Sequence, residues 1–236
     1  MNTKPFNWQP SKRLLIITGH FGSGKTNIAV NLAKIFAASG RKTTLIDFDT
    51  VNPYFRAADN IKSLERSGVK AIVPEYANTN LDLPTLPPEI YSVFKDEDPG
   101  SLAIFDVGGD DLGATPLGMF NPQITGSGYE MLYVVSMYRP LTASAEDAAR
   151  LLCDIEAASR LRVTAIVNNS NIGEATGRDS LIQSSEYIKQ LCEITGLPLA
   201  FSATMLESGD FDGIEPLLQM ADETKYLWKE SAEADV

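Results

Sequence analysis

The chain has 236 residues, of which 44% are hydrophobic and 22% charged, and this is enough apolar material for one sizeable core. Its net charge of −11 excludes a domain-wide basic surface, so we expect no nucleic-acid partner. No apolar run reaches the roughly 18 residues of a membrane span, and residues 1–10 lack the pattern of a signal peptide. We therefore expect a cytoplasmic protein with no membrane partner.

Short apolar runs alternate along the chain with helical stretches, which is typical of an α/β fold with a mainly parallel sheet. The predicted strands cover residues 13–18, 43–48, 102–105, 131–136, 163–167 and 199–202. The predicted helices cover residues 24–39, 142–160, 180–195 and 214–230. Each strand is largely apolar on both faces, as a sheet covered by helices on both sides requires. We predict a single three-layer domain over residues 1–236, with a twisted sheet flanked by helices.

Residues 68–100 interrupt this alternation. They contain five prolines, which break long helices and central strands. Only residues 71–73 and 89–94 have a regular pattern. We therefore expect an irregular, proline-rich insertion at the rim of the sheet.

The connection between the first strand and the first helix, Gly19 to Thr26, fits the phosphate-loop pattern G-x-x-x-x-G-K-S/T. Glycines let successive backbone N–H groups face one anion, and the helix N-terminus adds its partial positive charge. We expect Lys25 to reach the β- and γ-phosphates and the Thr26 hydroxyl to bind Mg²⁺. The predicted nucleotide-binding residues of this segment are Gly19, His20, Phe21, Gly22, Ser23, Gly24, Lys25, Thr26 and Asn27.

The second strand ends in two carboxylates, Asp47 and Asp49, two residues apart and therefore on one face of the strand. At the carboxyl end of this strand they would lie near the phosphate loop. A carboxylate there can orient an attacking water or a metal-bound water, which makes both residues catalytic candidates and Asp49 a candidate metal ligand. The alternative is an ordinary solvated strand end or helix cap.

The strand that contains residues 102–105 is followed by Asp106 and then by the sequence Val-Gly-Gly-Asp-Asp. An apolar strand that ends in aspartate is the Walker B arrangement, in which Asp106 would hold Mg²⁺, directly or through water. Gly109 would bring its backbone N–H close to the γ-phosphate. The alternative for this segment is a simple strand-to-loop turn.

Together, these three elements resemble the MinD/ParA group of P-loop ATPases, which includes the nitrogenase iron protein. The deviant Walker A loop of that group, K-G-G-x-G-K-S/T, aligns with residues 20–26, its D-x-D with residues 47–49, and the switch II of the iron protein with residues 106–110. Residues 166–169 resemble the strand whose terminal Asn reads adenine, which makes Asn168 the candidate base contact. The resemblance implies Mg²⁺ and ATP as cofactors and a nucleotide-dependent homodimer.

One departure from the group matters. Its members have a lysine where this chain has His20, and that lysine reaches the phosphates of the partner subunit. A protonated histidine would replace it weakly. Arg56 and Arg139 are alternative sources of the missing charge. The acidic residues 229–236 also differ from the basic amphipathic helix of a MinD-like membrane anchor.

The resemblance favours an ATPase that works as a Mg²⁺-ATP-dependent molecular switch. Residues 47–56 and 106–120 would respond to the nucleotide, and the output would be dimerisation or docking to an unknown protein partner. The alternative is an ATP-dependent small-molecule kinase or ligase of the dethiobiotin synthetase or cobyrinate amidase type, with Asp110, Asp111 and Arg139 near the substrate. A nucleotide-binding module without turnover is a third possibility.

Overall fold

The computed structural model describes residues 6–49, 58–73, 88–171, 176, 178–206, 214 and 216–223. The described strands form one sheet of eight, in the order β3-β2-β4-β1-β5-β6-β7-β8. Every neighbouring pair of strands is parallel. The strands are β1 Leu14–Thr18, β2 Lys42–Phe48, β3 Val69–Ile72, β4 Ser101–Val107, β5 Tyr129–Val135, β6 Ala165–Asn168, β7 Leu199–Thr204 and β8 Leu217–Gln219.

Seven α-helices of the described residues connect and flank these strands. They are α1 Lys25–Ala38, α2 Ala58–Arg66, α3 Ile90–Lys95, α4 Asp110–Met119, α5 Asn121–Ser127, α6 Ala145–Ser159 and α7 Arg178–Thr195. A 3₁₀ turn, Pro140–Thr142, lies between β5 and α6. None of the helices in the described ranges is long and apolar enough to cross a membrane.

Two apolar cores, one on each face of the sheet, account for the three layers. Because successive residues of a strand point to opposite faces, Leu14 and Ile16 of β1 enter one core and Leu15 and Ile17 the other. The first core also contains buried residues of α4, α6 and α7, and the second contains those of α1. The predicted α/β fold with a helix-covered parallel sheet is therefore confirmed.

Helix α1 shows why its sequence folds as it does. Ile28, Leu32 and Phe36 form a stripe on one side of the helix and are completely buried against the sheet. The helix ends at Ala38, and Gly40 follows with a φ of 87°, a left-handed conformation that glycine adopts without strain. The predicted helix therefore differs from the observed one only at its ends.

The prediction for residues 68–100 is partly wrong. Val69–Ile72 forms the edge strand β3, in which Ala71 pairs with Leu45 of β2, so this part belongs to the sheet itself. Helix α3 matches the second regular stretch that the sequence predicts. Residues 74–87, which carry most of the prolines, lie outside the described residues.

The prediction of a helix over residues 214–230 is wrong where the structure describes it. Leu217–Gln219 is the short strand β8, which pairs with β7 through Ser202 and Leu217. A strand of three residues is too short to show a period of two in the sequence, and its apolar side chains fit a helical stripe equally well. Residues 224–230 lie outside the described residues.

The residues that follow β8 bind back to α1. The Asn27 and Asn31 side-chain oxygens accept hydrogen bonds from the backbone N–H groups of Glu223 and Ala221, both at 2.9 Å. Lys34 forms an ion pair with the Glu223 carboxylate at 2.7 Å. The helix that begins at the phosphate loop is therefore held from two sides, by the sheet and by residues 221–223.

Candidate functional site

The carboxyl ends of the central strands β2, β4 and β1 bring the predicted site residues together. Asp106 of β4 is in register with Asp47 on one side and with Ile17 on the other. Because all strands run parallel, the loop that follows β1 and the segment that follows β2 leave the sheet beside Asp106. This edge of an open α/β sheet is where such folds bind ligands.

The loop between β1 and α1 has the backbone that an anion-binding loop requires. Gly19 has a φ of 145°, and a Cβ atom at this position would lie 2.2 Å from the Val134 carbonyl oxygen. Gly24 has a φ of 87°, and a Cβ atom there would lie 2.2 Å from the Asn169 side-chain nitrogen. Glycine is therefore required at both positions, for space as well as for conformation.

The Lys25 side chain folds back over this loop. Its ammonium group donates a hydrogen bond to the His20 carbonyl oxygen at 3.1 Å. The Ser23 N–H also donates to the His20 carbonyl oxygen, which closes the turn. Two buried side-chain atoms of the loop, His20 Nδ1 and Ser23 Oγ, have no hydrogen-bond partner within the described part of the chain. The loop thus presents a buried cation and polar atoms that a phosphate group can engage.

Asp106 is a buried carboxylate whose charge the neighbouring residues compensate only in part. It is 1% exposed, and neither of its oxygens forms a hydrogen bond of standard geometry with any described residue. Burial raises the pKa of Asp106 to about 6, the nearby Thr26 hydroxyl and Lys25 ammonium lower it, and the Asp49 carboxylate raises it.

A divalent cation fits this environment, because Mg²⁺ is commonly bound by one or two protein oxygens together with substrate phosphates. The Asp106 carboxylate and the Thr26 hydroxyl would hold the ion.

Asp47 and Asp49 occupy different environments. Asp47 is 1% exposed, and its Oδ1 accepts a hydrogen bond from the Asp49 N–H at 3.0 Å, so it fixes the end of β2. Asp49 is only half-buried, and its carboxylate lies beside Gly108, where a Cβ atom would be 3.1 Å from Oδ1. Asp49 is therefore the carboxylate that faces the loop after β4, whereas Asp47 supports it.

The loop after β4 packs directly on the phosphate loop. A Cβ atom on Gly109 would lie 2.5 Å from the Phe21 N and 2.7 Å from its Cα. A Cβ atom on Gly113 of α4 would lie 2.4 Å from the Gly108 carbonyl carbon. These three glycines let the start of α4, the loop after β4 and the phosphate loop stack without intervening side chains. The contact between Gly109 and Phe21 is not visible in the sequence.

Asn168, the predicted base contact, lies at the end of β6 and is buried. Its amide nitrogen donates to the Ser184 hydroxyl at 2.9 Å and to the Ser202 hydroxyl at 3.4 Å, and its oxygen accepts from the Ser170 N–H. These bonds connect β6 to α7 and β7. Contact of Asn168 with the base stays a prediction.

Asn169 is a residue that the sequence analysis missed. Its side-chain nitrogen donates a hydrogen bond to the Ser23 carbonyl oxygen at 2.7 Å, so it supports the phosphate loop from the side of β6. The one sequence signal was its place beside Asn168, directly after the strand. Asn27, by contrast, uses its side chain to bind the backbone of Glu223, away from the loop.

These features define the chain as a P-loop nucleotide-binding domain. Residues 14–208 match the family described as the CobQ/CobB/MinD/ParA nucleotide binding domain. The chain belongs to this family, and the resemblance to MinD/ParA proteins in the sequence is confirmed at that level.

The chain is also similar to a signal recognition particle protein over a short segment of sequence, and to such proteins in structure at low sequence identity. A segment of 69 residues is 39% identical to the 54 kDa protein of Pyrobaculum calidifontis and covers 28% of this chain and 16% of that protein. The structure of the 54 kDa protein from Aeropyrum pernix K1 in complex with GDP has a TM-score of 0.53 at 17% identity and covers 96% of this chain and 48% of that one. FtsY from Mycoplasma mycoides has a TM-score of 0.52 at 16% identity, with 84% and 62% covered. The two structures show the fold alone, and the chain spans only part of the length of each protein.

Proposed function

We propose that the protein is a molecular switch that binds and hydrolyses Mg²⁺-ATP and acts on a protein partner. The observation that carries this proposal is the Asp106 carboxylate, which is buried beside Thr26 and Lys25 at the phosphate loop and is only partly compensated by them. A buried charge is costly unless a partner compensates it. A nucleotide-bound Mg²⁺ ion supplies that compensation, and membership of the nucleotide-binding family supports the same conclusion.

Each site residue has a distinct role in this proposal. Lys25 leaves the His20 carbonyl and binds the β- and γ-phosphates, where its charge stabilises the phosphoryl group that is transferred. Asp49 orients the attacking water, and Asp47 holds the Asp49 backbone in place. Mg²⁺, when bound, neutralises charge on the phosphate oxygens.

The switch itself would be the loop after β4 together with α4. Gly109 lies against Phe21, so a γ-phosphate that binds this part of the phosphate loop acts on both segments. Met119 at the end of α4 is 76% exposed, and Phe21 is 61% exposed. Apolar side chains at both places support a nucleotide-dependent contact with a second copy of the chain or with another protein.

ATP rather than GTP is part of the proposal. It rests on the resemblance of residues 166–169 to the adenine-reading strand, which makes Asn168 the candidate base contact. The Aeropyrum pernix protein was crystallised with GDP, but its likeness to this chain concerns the fold. Nucleotide binding is therefore to be measured with both ATP and GTP.

The alternative is an ATP-dependent kinase or ligase that acts on a small molecule. The observation that favours it is the family itself, whose description names CobQ/CobB beside MinD/ParA. In this alternative the substrate would lie beside the γ-phosphate.

One experiment distinguishes the molecular switch from the small-molecule kinase or ligase. The mass of the protein in solution is measured with and without Mg²⁺ and a non-hydrolysable ATP analogue, and phosphate release from ATP is measured in parallel. The switch predicts a change from monomer to dimer with the analogue and slow release. Lys25→Ala is expected to abolish the dimerisation and the phosphate release. Lys70→Ala, at an exposed position of β3, is expected to preserve the dimerisation and the phosphate release. A constant mass, with phosphate release only when a small molecule is added, would refute the switch and support the alternative.

A further inference from the structure

Arg139 lies against the phosphate loop although it comes from a different part of the chain. It belongs to the connection between β5 and α6 and is exposed. A Cβ atom on Gly22 would lie 3.3 Å from the Arg139 Cζ and 3.4 Å from its Nε. The guanidinium group therefore packs on the backbone of the loop itself.

The backbone that carries Arg139 is held in place by hydrogen bonds. The Arg139 N–H donates to the Ser136 carbonyl oxygen at 3.1 Å, and its carbonyl oxygen accepts from the Thr142 N–H at 3.0 Å. The Thr142 hydroxyl donates to the same Ser136 carbonyl oxygen at 2.7 Å, and the Tyr187 hydroxyl donates to the Thr142 carbonyl oxygen at 2.8 Å. A fixed backbone lowers the entropy lost when the arginine side chain binds a ligand.

The guanidinium group has no competing anion among the described residues, because none of their carboxylates forms an ion pair with Arg139. Its place on the loop also indicates which part of a nucleotide it would meet. Gly22, which Arg139 contacts, directly follows Phe21, which contacts Gly109. Arg139 therefore lies next to the part of the phosphate loop that packs on Gly109, the residue for which a contact with the γ-phosphate is predicted.

We propose that Arg139 binds the terminal phosphate of the nucleotide bound in its own subunit. It would supply from the same chain the positive charge that MinD/ParA proteins place at the position of His20. Arginine suits this role because its planar guanidinium donates two parallel hydrogen bonds to phosphate oxygens. The inference rests on the proposed nucleotide binding, but not on which base is bound.

The test compares dissociation constants for a non-hydrolysable triphosphate analogue and for the diphosphate, each with Mg²⁺, in the wild type and two variants. Arg139→Ala is expected to weaken triphosphate binding about 10- to 100-fold, the range for a charge-assisted hydrogen bond to phosphate, and diphosphate binding less than about 3-fold. Arg139→Lys keeps the charge and is expected to restore part of the loss. Because Arg139 is exposed, neither variant is expected to change the melting temperature of the free protein.

Arg150→Ala removes the same charge from an exposed position on α6 and is the matched control, with no expected effect on either constant. Equal weakening of triphosphate and diphosphate binding by Arg139→Ala, or no weakening of either, would overturn the inference while leaving the proposed function intact. A wild type that binds neither ATP nor GTP with Mg²⁺ would overturn both. If only GTP binds, the same comparison is made with guanine nucleotides.

Discussion

The Asp106→Asn substitution removes the negative charge from a buried carboxylate of the site and keeps its shape. Burial raises the pKa of Asp106 from its ordinary 3.8 to about 6, so the folded protein holds this proton more tightly than the unfolded chain does. The folded state therefore loses stability as the pH rises from about 4 to about 6, and the loss is complete above pH 6. The difference in pKa corresponds to about 3 kcal/mol.

The ligand-free Asp106→Asn variant is therefore expected to be more stable than the wild type at neutral pH. About 3 kcal/mol corresponds to a rise in melting temperature of roughly 6–12 °C in a domain of this size. Thermal unfolding at pH 7.5, without metal or nucleotide, measures this difference. At pH 5 the difference is expected to fall to about half, because the wild-type carboxyl is then mostly protonated in the folded state.

The substitution is expected to raise the stability of the ligand-free protein but to reduce the stabilisation that ligand binding provides. Mg²⁺ with a triphosphate analogue should raise the melting temperature of the wild type. In the variant, whose side chain is neutral, adding Mg²⁺ to the analogue should give no further rise in melting temperature. Asp154→Asn, at an exposed position on α6, removes the same charge and should behave as the wild type in both experiments. A ligand-free variant that melts below the wild type at pH 7.5 would refute the role of Asp106 as a buried charge that its neighbours compensate only in part.

Two further substitutions test the packing around the loop. Gly113→Ala places a Cβ atom 2.4 Å from the Gly108 carbonyl carbon and is expected to destabilise the protein by about 1–3 kcal/mol, as measured by chemical denaturation. The control is Gly126→Ala, at a position on α5 where a Cβ atom meets open space. It should leave the stability unchanged or raise it by up to about 1 kcal/mol. Equal effects would contradict the close approach. Asn169→Ala removes the hydrogen bond to the Ser23 carbonyl oxygen and is expected to raise the nucleotide dissociation constant about 10-fold, as measured by calorimetric titration; an unchanged constant would show that the loop does not depend on this bond.

Local patterns in the sequence were sufficient to predict the phosphate loop and the two acidic strand ends. Each consists of a buried apolar strand followed at once by its functional residues, so no long-range information is needed. The order of the strands was not predicted, and it is the structure that places β2 beside β4 and brings Asp47 and Asp106 into register.

The parts that the sequence did not predict depend on tertiary contacts. Helix α4 contains Gly113, Pro116 and Gly118, which are poor helix formers, and burial of Ala114 and Leu117 stabilises it instead. The contact of Gly109 with Phe21 joins segments that are far apart in the sequence.

The sequence also did not show which asparagine at the end of β6 contacts the phosphate loop. Which of two adjacent asparagines faces the loop depends on the register of β6, and the pairing with β7 shifts between Ile166 and Val167. A one-residue change of register exchanges the two faces of a strand.

The attachment of residues 221–223 to helix α1 has a consequence for biosynthesis. Asn31 and Asn27 bind groups that lie 190 and 196 residues later in the chain. While the protein is being translated, the helix behind the phosphate loop leaves the ribosome long before the segment that secures it. Contacts of such long range carry a large loop-closure cost and cannot form until both segments have been synthesised. A nascent chain would therefore carry the complete phosphate-loop sequence before it has a fully supported nucleotide site.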